Sequence, residues 1–299
     1  MKTLFFGAGL VGSVYAHLLH QAGGDVTVLA RGERHDWLKE NGLVLLNELT
    51  GQQDSSRVKV VNQLNADDEY DLVVVAIRKN KLLPVFEILA ASPGVKNVLF
   101  MGNNALGFDE YVKHLPVEKL LMGFPGAGGG IREQVVHFAD REKPRGKRRA
   151  ITIGEIDGQN KERTLTVKSL FESAGVPVVQ TREIDGWLKY HAALVSPLVG
   201  ALYKHDCDNY QAAKDKETLR ALSEGANPSQ SPRRHKRRPG QVWKLEAGAT
   251  LKLFIRVHGG FQTKCRSSFY GFRVRSRKCA RQSKQERVPP NKRRIPSSR

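Results

Sequence analysis

Six residues near the start of the chain have the types and spacing that bind phosphate groups. They form the run Gly7-Ala8-Gly9-Leu10-Val11-Gly12. In this pattern the first glycine permits a tight turn, the second lets the backbone approach a pyrophosphate, and the third lets a helix pack closely. Amides at the helix N-terminus then donate to the phosphates. The run predicts a dinucleotide site, and a glycine turn without a ligand is the plainer alternative.

A basic residue stands where such a site selects its cofactor. Sites for NAD usually carry Asp or Glu at the end of the second strand, where the carboxylate accepts hydrogen bonds from the ribose. Arg31 takes that place here, and a guanidinium can pair with a 2′-phosphate. Arg78 and Lys81 follow a later strand and could add positive charge around the same phosphate. The pattern favours NADP(H), although exposed surface arginines are also common.

Two further positions could act on a carbonyl substrate. Asn103 and Asn104 follow a predicted strand, where an amide can bind a carbonyl or carboxylate, or can simply serve a turn. Lys189 lies in a predicted helix, where a partly desolvated lysine can act as a general acid. A lysine that snorkels to solvent is the plainer alternative, and His191 is a competing proton donor. No metal site is predicted.

The elements that must position these residues alternate between strand and helix. Thr3–Phe6, Leu10–His20 and Asp25–Leu29 form a β-α-β unit of the expected size. Further predicted strands are Leu72–Ala76, Asn97–Phe100, Leu120–Phe124, Val135–Phe138, Ala150–Ile153 and Val176–Val179. Predicted helices cover Lys81–Ala91 and Glu162–Ala174, and helical spacing resumes at Glu183 and again over Tyr210–Leu222. The alternation predicts a mostly parallel sheet, with the Pro177 strand at its edge.

The order of these elements divides the chain into three parts. Residues 1–180 are predicted to form an α/β Rossmann domain, and residues 181–222 the start of an all-helical C-terminal domain that is truncated or altered. Residues 223–299 form a basic tail with 21 Lys and Arg against 3 acidic residues, whereas residues 1–222 carry 28 against 27. Two explanations of this abrupt change are open, a shifted reading frame and a natural disordered tail.

The cysteines and the apolar runs bear on the location of the protein. An odd number of cysteines, three, argues against a disulfide framework and favours a reduced, cytoplasmic protein. The apolar N-terminus is explained better by a strand and helix joined by glycines than by a secretory signal. No run is long and apolar enough to span a bilayer, so no membrane association is expected.

The ordered set of motifs resembles the ketopantoate reductase family, the NADPH-dependent 2-dehydropantoate 2-reductases of pantothenate synthesis. The match covers about residues 1–222. It consists of the glycine run and Arg31, followed by the segments Val74–Arg78, Gly102–Gly107, Leu121–Gly123 and Trp187–Lys189, with Pro197-Leu198 beyond. The glycine run is common to many dehydrogenases, whereas the whole ordered set is far more specific.

The resemblance implies a Rossmann domain joined to a helical domain, with the active site in the cleft. It implies that Lys189 is the general acid, that Asn103 orients the substrate and the nicotinamide, and that Arg31 and Arg78 lie near the 2′-phosphate. Two positions depart from the family pattern, because Ala193 and Ser196 stand where asparagines are usual. The resemblance implies ketopantoate as the substrate, and these two departures favour a related 2-keto acid or another carbonyl compound instead.

Two other functions stay open at the level of sequence. The chain could be a non-catalytic nucleotide sensor with a Rossmann core. It could also bind nucleic acid through the basic tail, mostly without sequence specificity. The oligomeric state is not predicted.

Overall fold

The computed structural model describes residues 1–139 and 149–225, which lie within one compact unit. The strands of these residues are β1 Thr3–Phe6, β2 Val26–Leu29, β3 Leu43–Asn47, β4 Gln53–Ser56, β5 Lys59–Val61, β6 Leu72–Val75, β7 Val98–Met101, β8 Leu120–Phe124, β9 Gly129–Arg132, β10 Val135–Phe138, β11 Ile151–Glu155 and β12 Val178–Gln180. The helices are α1 Leu10–Gln21, α2 Glu33–Asn41, α3 Leu83–Ala90, α4 Asp109–His114, α5 Glu162–Ser173, α6 Ile184–Lys204, α7 Asn209–Lys214 and α8 Lys216–Gly225.

The main sheet has the strand order of a dinucleotide-binding fold. Its eight strands run β12-β11-β8-β7-β6-β1-β2-β5, and the six from β8 to β5 are mutually parallel. Numbered along the chain, those six follow the 3-2-1-4-5-6 order that reverses between the first and fourth strands. That reversal falls here between β1 and β6, so the sheet opens a crevice beside the glycine run. The predicted α/β class with a mostly parallel sheet is confirmed.

Alternating side chains of the central strands build two cores, one on each face of the sheet. Phe5 packs into one core beneath α1 and α5, where the rings of Tyr15 and Phe171 meet edge to face at 5.7 Å. Leu4 and Phe6 point to the opposite core, which contains Phe86 of α3. Because both faces are covered, the strands are continuous apolar runs rather than alternating ones.

A second, smaller sheet was not predicted as a separate unit. Its strand order within the described residues is β4-β3-β10-β9, with β10 parallel to β3 and antiparallel to β9. Helix α1 packs against it, and the Nδ1 atom of His17 lies 2.8 Å from the Ser56 hydroxyl. The strand predicted over Val135–Phe138 is confirmed, and it belongs to this sheet rather than to the main one.

Two predicted boundaries need correction. The helix predicted from Lys81 begins at Leu83, because residues 79–81 form a short 3₁₀ turn and Pro84 occupies the first turn of α3, where its missing N–H costs nothing. The strand around Pro177 begins one residue after the proline, at the predicted edge of the sheet.

A buried carboxylate fixes the end of β11. Glu155 is 1% exposed and accepts hydrogen bonds from Arg163 Nε at 2.9 Å, from Arg163 Nη2 and from the Thr164 hydroxyl. Arg163 Nη2 also donates to the Leu120 carbonyl at 3.1 Å, which ties α5 to the start of β8. This ion pair is remote from the glycine run and serves the fold.

Replacing Glu155 with leucine is expected to lower the free energy of unfolding by about 3–5 kcal/mol, because Arg163 then stays buried without its partner. Urea unfolding followed by circular dichroism measures the loss. The double variant Glu155→Leu/Arg163→Met removes both charges and should recover most of it. A single variant as stable as the unaltered protein would contradict the account.

Three helices follow the main sheet, as the predicted start of a helical domain requires. The helical stretch predicted over Tyr210–Leu222 is split at Asp215, whose carboxylate caps α8 by accepting from Glu217 N at 3.0 Å. Leu198 and Ala201 of α6 pack with Leu222 of α8. No helix in the described ranges has the length and apolarity needed to cross a membrane. Apart from the last residues of α8, the predicted basic tail of residues 223–299 lies outside the described residues.

Candidate active site

Each glycine of the run meets a different spatial demand. Gly7 has a φ of +113°, and a Cβ atom there would lie 2.9 Å from Ile77 Cγ1. A Cβ atom on Gly12 would lie 2.0 Å from the Gly7 carbonyl oxygen, so the helix can approach the turn only without a side chain. A Cβ atom on Gly9 would meet no atom within 4 Å. Gly7 and Gly12 are therefore needed for packing, and Gly9 borders open space.

Helix α1 begins beside that open space, directly after Gly9. Gly9 is the N-cap and offers no side-chain hydrogen bond, and the first turn holds no acidic residue. Such a terminus carries partial positive charge and unpaired N–H donors, which suits an anion. Ala8, Leu10 and Val11 complete the turn, with Ala8 buried and the other two half-buried. The local geometry fits the pyrophosphate of a dinucleotide.

The predicted phosphate-selecting residues follow β2 and β6, the two strands on either side of β1. Arg31 is exposed directly after β2, with its Cζ atom 5.9 Å from the Phe6 ring centroid. Arg78 is exposed after β6, and Lys81 is exposed beyond it. Since β1 lies between β2 and β6, these strand ends are two strand spacings apart, roughly 10 Å. Both arginines thus flank the glycine turn from the same edge of the sheet.

The two asparagines after β7 differ in burial and in their contacts. Asn104 is 2% exposed and shapes the loop, donating to the Gly107 carbonyl at 2.7 Å and accepting from Lys79 Nζ. Asn103 is exposed, and its Oδ1 atom lies 3.1 Å from His191 Nδ1. The sequence alone left open which asparagine serves the turn. Asn104 serves it, and Asn103 is the exposed member of the pair.

Helix α6 brings Lys189 to the same loop. Its Nζ atom lies 3.8 Å from the Cβ position of Gly107, a residue with φ of +82°. Lys189 also pairs with Asp185 one turn earlier on the helix, and its side chain is 42% exposed. The lysine side chain therefore lies partly exposed beside the Gly107 loop rather than buried.

His191 lies two residues after Lys189 on α6 and is surrounded by aromatic rings. Its ring is 3.9 Å from the Phe124 centroid and stacks on Trp187 at 5.2 Å. Burial lowers the pKa of His191 below its ordinary value. The imidazole is accordingly neutral at neutral pH.

Three residues near the site were missed from the sequence. Arg34 contacts the glycine turn, Lys79 holds the loop of Asn104, and Asp185 pairs with Lys189. The spacing of four between Asp185 and Lys189 on one helix was a readable signal. The contacts of Arg34 and Lys79 join segments distant in the chain and left no local pattern.

Comparison with known proteins decides the family. A family model described as "Ketopantoate reductase PanE/ApbA" matches residues 3–158, slightly more than half of the chain. The chain belongs to the ketopantoate reductase family. A 2-dehydropantoate 2-reductase of Mesorhizobium japonicum is 26% identical over 220 residues, which cover 68% of this chain and 67% of that protein. An uncharacterized oxidoreductase of Bacillus subtilis is matched over only 61% of its length.

Several solved structures share the fold. A 2-dehydropantoate 2-reductase from Geobacter metallireducens superposes with a TM-score of 0.60 at 20% identity, covering 77% of this chain and 76% of that one. A D-mandelate dehydrogenase in complex with NADH and anilino(oxo)acetate superposes with a TM-score of 0.62 at 18% identity, covering 75% and 70%. The fold is thus shared by proteins whose names state different substrates.

Proposed function

We propose that the protein is an NADPH-dependent reductase of a 2-keto acid. The proposal rests on one observation, that a lysine side chain and an asparagine side chain lie at the same loop. Lys189 lies against Gly107, and Asn103 contacts His191 of the same helix. This loop follows β7, which is separated from the glycine turn by β6 alone. A proton donor and a carbonyl-binding amide therefore stand beside the predicted dinucleotide crevice.

The chain's own residues supply binding and proton transfer. A bound nicotinamide dinucleotide supplies the hydride. The α1 terminus binds its phosphates, and the Asn103 amide donates to the substrate carbonyl or carboxylate. Lys189 Nζ donates a proton to the oxygen that becomes the hydroxyl, and its charge stabilises the developing alkoxide. Asp185 keeps the ammonium beside Gly107 until substrate arrives.

The preference for NADPH rests on Arg31. No carboxylate follows β2 at this position, and the exposed guanidinium is available to a 2′-phosphate. The mandelate dehydrogenase that shares the fold was solved with NADH. The guanidinium at position 31 is what supports NADPH as the cofactor of this chain.

Replacing Arg31 with alanine is expected to raise the Kd of NADPH by about 10- to 100-fold, the loss of a charge-assisted hydrogen-bonded pair, and to leave the Kd of NADH unchanged. Fluorescence titration with each nucleotide measures both constants. Lys39→Ala, which removes an exposed cation from the end of α2, is the control. Equal losses for both nucleotides would show that Arg31 does not read the phosphate.

Turnover tests the proposed reaction. Purified full-length protein is mixed with NADPH and, separately, ketopantoate, phenylglyoxylate or pyruvate, and the oxidation of NADPH is followed by absorbance. Oxidation that depends on one of the 2-keto acids supports the proposal. Nucleotide binding without turnover of any of them would favour a non-catalytic sensor. The nucleic-acid alternative rests on residues outside the described ranges.

A further inference from the structure

One arginine ties the glycine turn to two other parts of the fold. Arg34 lies in the first turn of α2, and its Nε atom donates to the Ala8 carbonyl at 3.2 Å. Its Nη2 atom donates to the Ser13 hydroxyl at 3.4 Å, and its Nη1 atom donates to the carbonyl of Gln134 and to its side-chain oxygen. Burial lowers the pKa of Arg34 to about 10, so it stays charged at neutral pH.

The contact with Ala8 has a consequence for the next amide. Ser13 of α1 also donates to the Ala8 carbonyl, at 3.2 Å, so the side chains of Ser13 and Arg34 together hold this oxygen. In a planar trans peptide the C=O and the following N–H point in opposite directions. Fixing the Ala8 carbonyl therefore fixes the Gly9 N–H on the far side of the peptide. Gly9 borders space with no atom within 4 Å of its Cβ position.

We propose that Arg34 is a positioning residue for the dinucleotide, which aims the Gly9 amide at a phosphate by holding the Ala8 carbonyl. The inference rests on the proposed cofactor site and deepens it. Arg34 acts through the backbone and not on the ligand, which separates its role from that of Arg31. Arg34 thus sets the affinity for both nucleotides, and Arg31, three residues earlier, sets the preference for NADPH over NADH.

The other end of the guanidinium is anchored at a strained turn. Glu133 and Gln134 join β9 to β10 with φ values of 48° and 66°. Two-residue hairpin turns with both residues in this region strongly prefer Asn and Gly, so a Glu-Gln pair needs support from its surroundings. The bond from Arg34 to the Gln134 carbonyl gives that support. The hairpin of the second sheet thereby becomes a fixed anchor for the glycine turn.

The test compares Arg34→Met with Arg31→Ala by titration of the full-length protein with NADPH and NADH. Methionine keeps much of the length of the side chain but has no donors. We expect the Kd values of both nucleotides to rise by the same factor, about tenfold, with the NADPH preference unchanged. Arg132→Met, an exposed arginine on the same hairpin that pairs with Glu48, is the matched control and should bind both nucleotides normally.

Different results separate the possible roles. A loss confined to NADPH would overturn the proposal, since Arg34 would then bind the 2′-phosphate directly. Unchanged affinity for both nucleotides would overturn it as well. If Arg34→Met fails to fold, Ser13→Ala removes the second donor to Ala8 and should raise both Kd values about threefold, and no rise there refutes the idea. Absence of binding by the unaltered protein would instead refute the cofactor site itself.

Discussion

Replacing Lys189 with alanine is expected to lower kcat with the 2-keto acid substrate by about 10²- to 10⁴-fold, because the alkoxide loses both its proton donor and its neighbouring charge. The Kd of NADPH should stay within about twofold, since Lys189 lies at the Gly107 loop rather than at the glycine turn. Steady-state kinetics and nucleotide titration on the same sample measure the two effects. The drop in kcat without a loss of nucleotide affinity is the signature of a proton donor.

The chain offers a matched control on another helix. Lys168 pairs with Glu172 at 3.8 Å, also four residues along a helix and also partly exposed, but on α5. Lys168→Ala therefore removes a comparable ion pair without touching the proposed site, and its kcat should be unchanged. Equal turnover by Lys189→Ala and the unaltered enzyme would show that Lys189 is not the proton donor and would leave His191 as the candidate for that role.

Two alanine substitutions in the glycine run should have opposite effects. Gly9→Ala places a methyl group in open space at an ordinary φ of −75°, so we expect an unchanged Tm. The same methyl group occupies the space proposed for the pyrophosphate, and we expect the Kd of NADPH to rise by about 100-fold or more. Gly12→Ala forces its methyl group to 2.0 Å from the Gly7 carbonyl and should lower the Tm by several degrees.

Thermal unfolding and nucleotide titration on both variants distinguish packing from binding. A glycine run that only shapes a turn would make Gly9→Ala harmless to binding. Should Gly9→Ala bind NADPH as tightly as the unaltered protein, the pyrophosphate does not lie at this turn. A fall in Tm for Gly9→Ala would show that the space beside it is needed for folding.

The main sheet could be predicted because its strands are buried on both faces. Runs such as Leu72–Val75 are wholly apolar, and segments with helical spacing separate some of them. The glycine run added the direction of the first crossover, since a turn of this kind leads from a strand into a helix. Local patterns of this kind, which need no distant partner, were enough to predict the fold class and to suggest a cofactor site.

The second sheet left no comparable signal. Strand β4 has the sequence Gln-Asp-Ser-Ser, with only Ser56 buried, so its pairing with β3 depends on backbone hydrogen bonds and not on apolar alternation. Helix α2 likewise buries only Leu38. The turn at Glu133 has no glycine or asparagine to announce a hairpin. These elements are set by tertiary contacts that a local pattern does not encode.

The individual residues of the candidate site could be predicted from the sequence, but the contacts between them could not. Asn103, Lys189 and His191 are all readable as chemical groups, but their meeting depends on how α6 crosses the edge of the sheet. The roles of Arg34 and Lys79 depend on partners 100 and 25 residues away in the chain. Contacts at such separations follow from the folded topology, which the order of motifs implies only in outline.

The most direct measurement is a titration of the purified full-length protein with NADPH and with NADH, followed by the quenching of tryptophan fluorescence. The account predicts saturable binding of both, with NADPH bound at least about tenfold more tightly because of the guanidinium at position 31. A sample shown to be folded that binds neither nucleotide would contradict it.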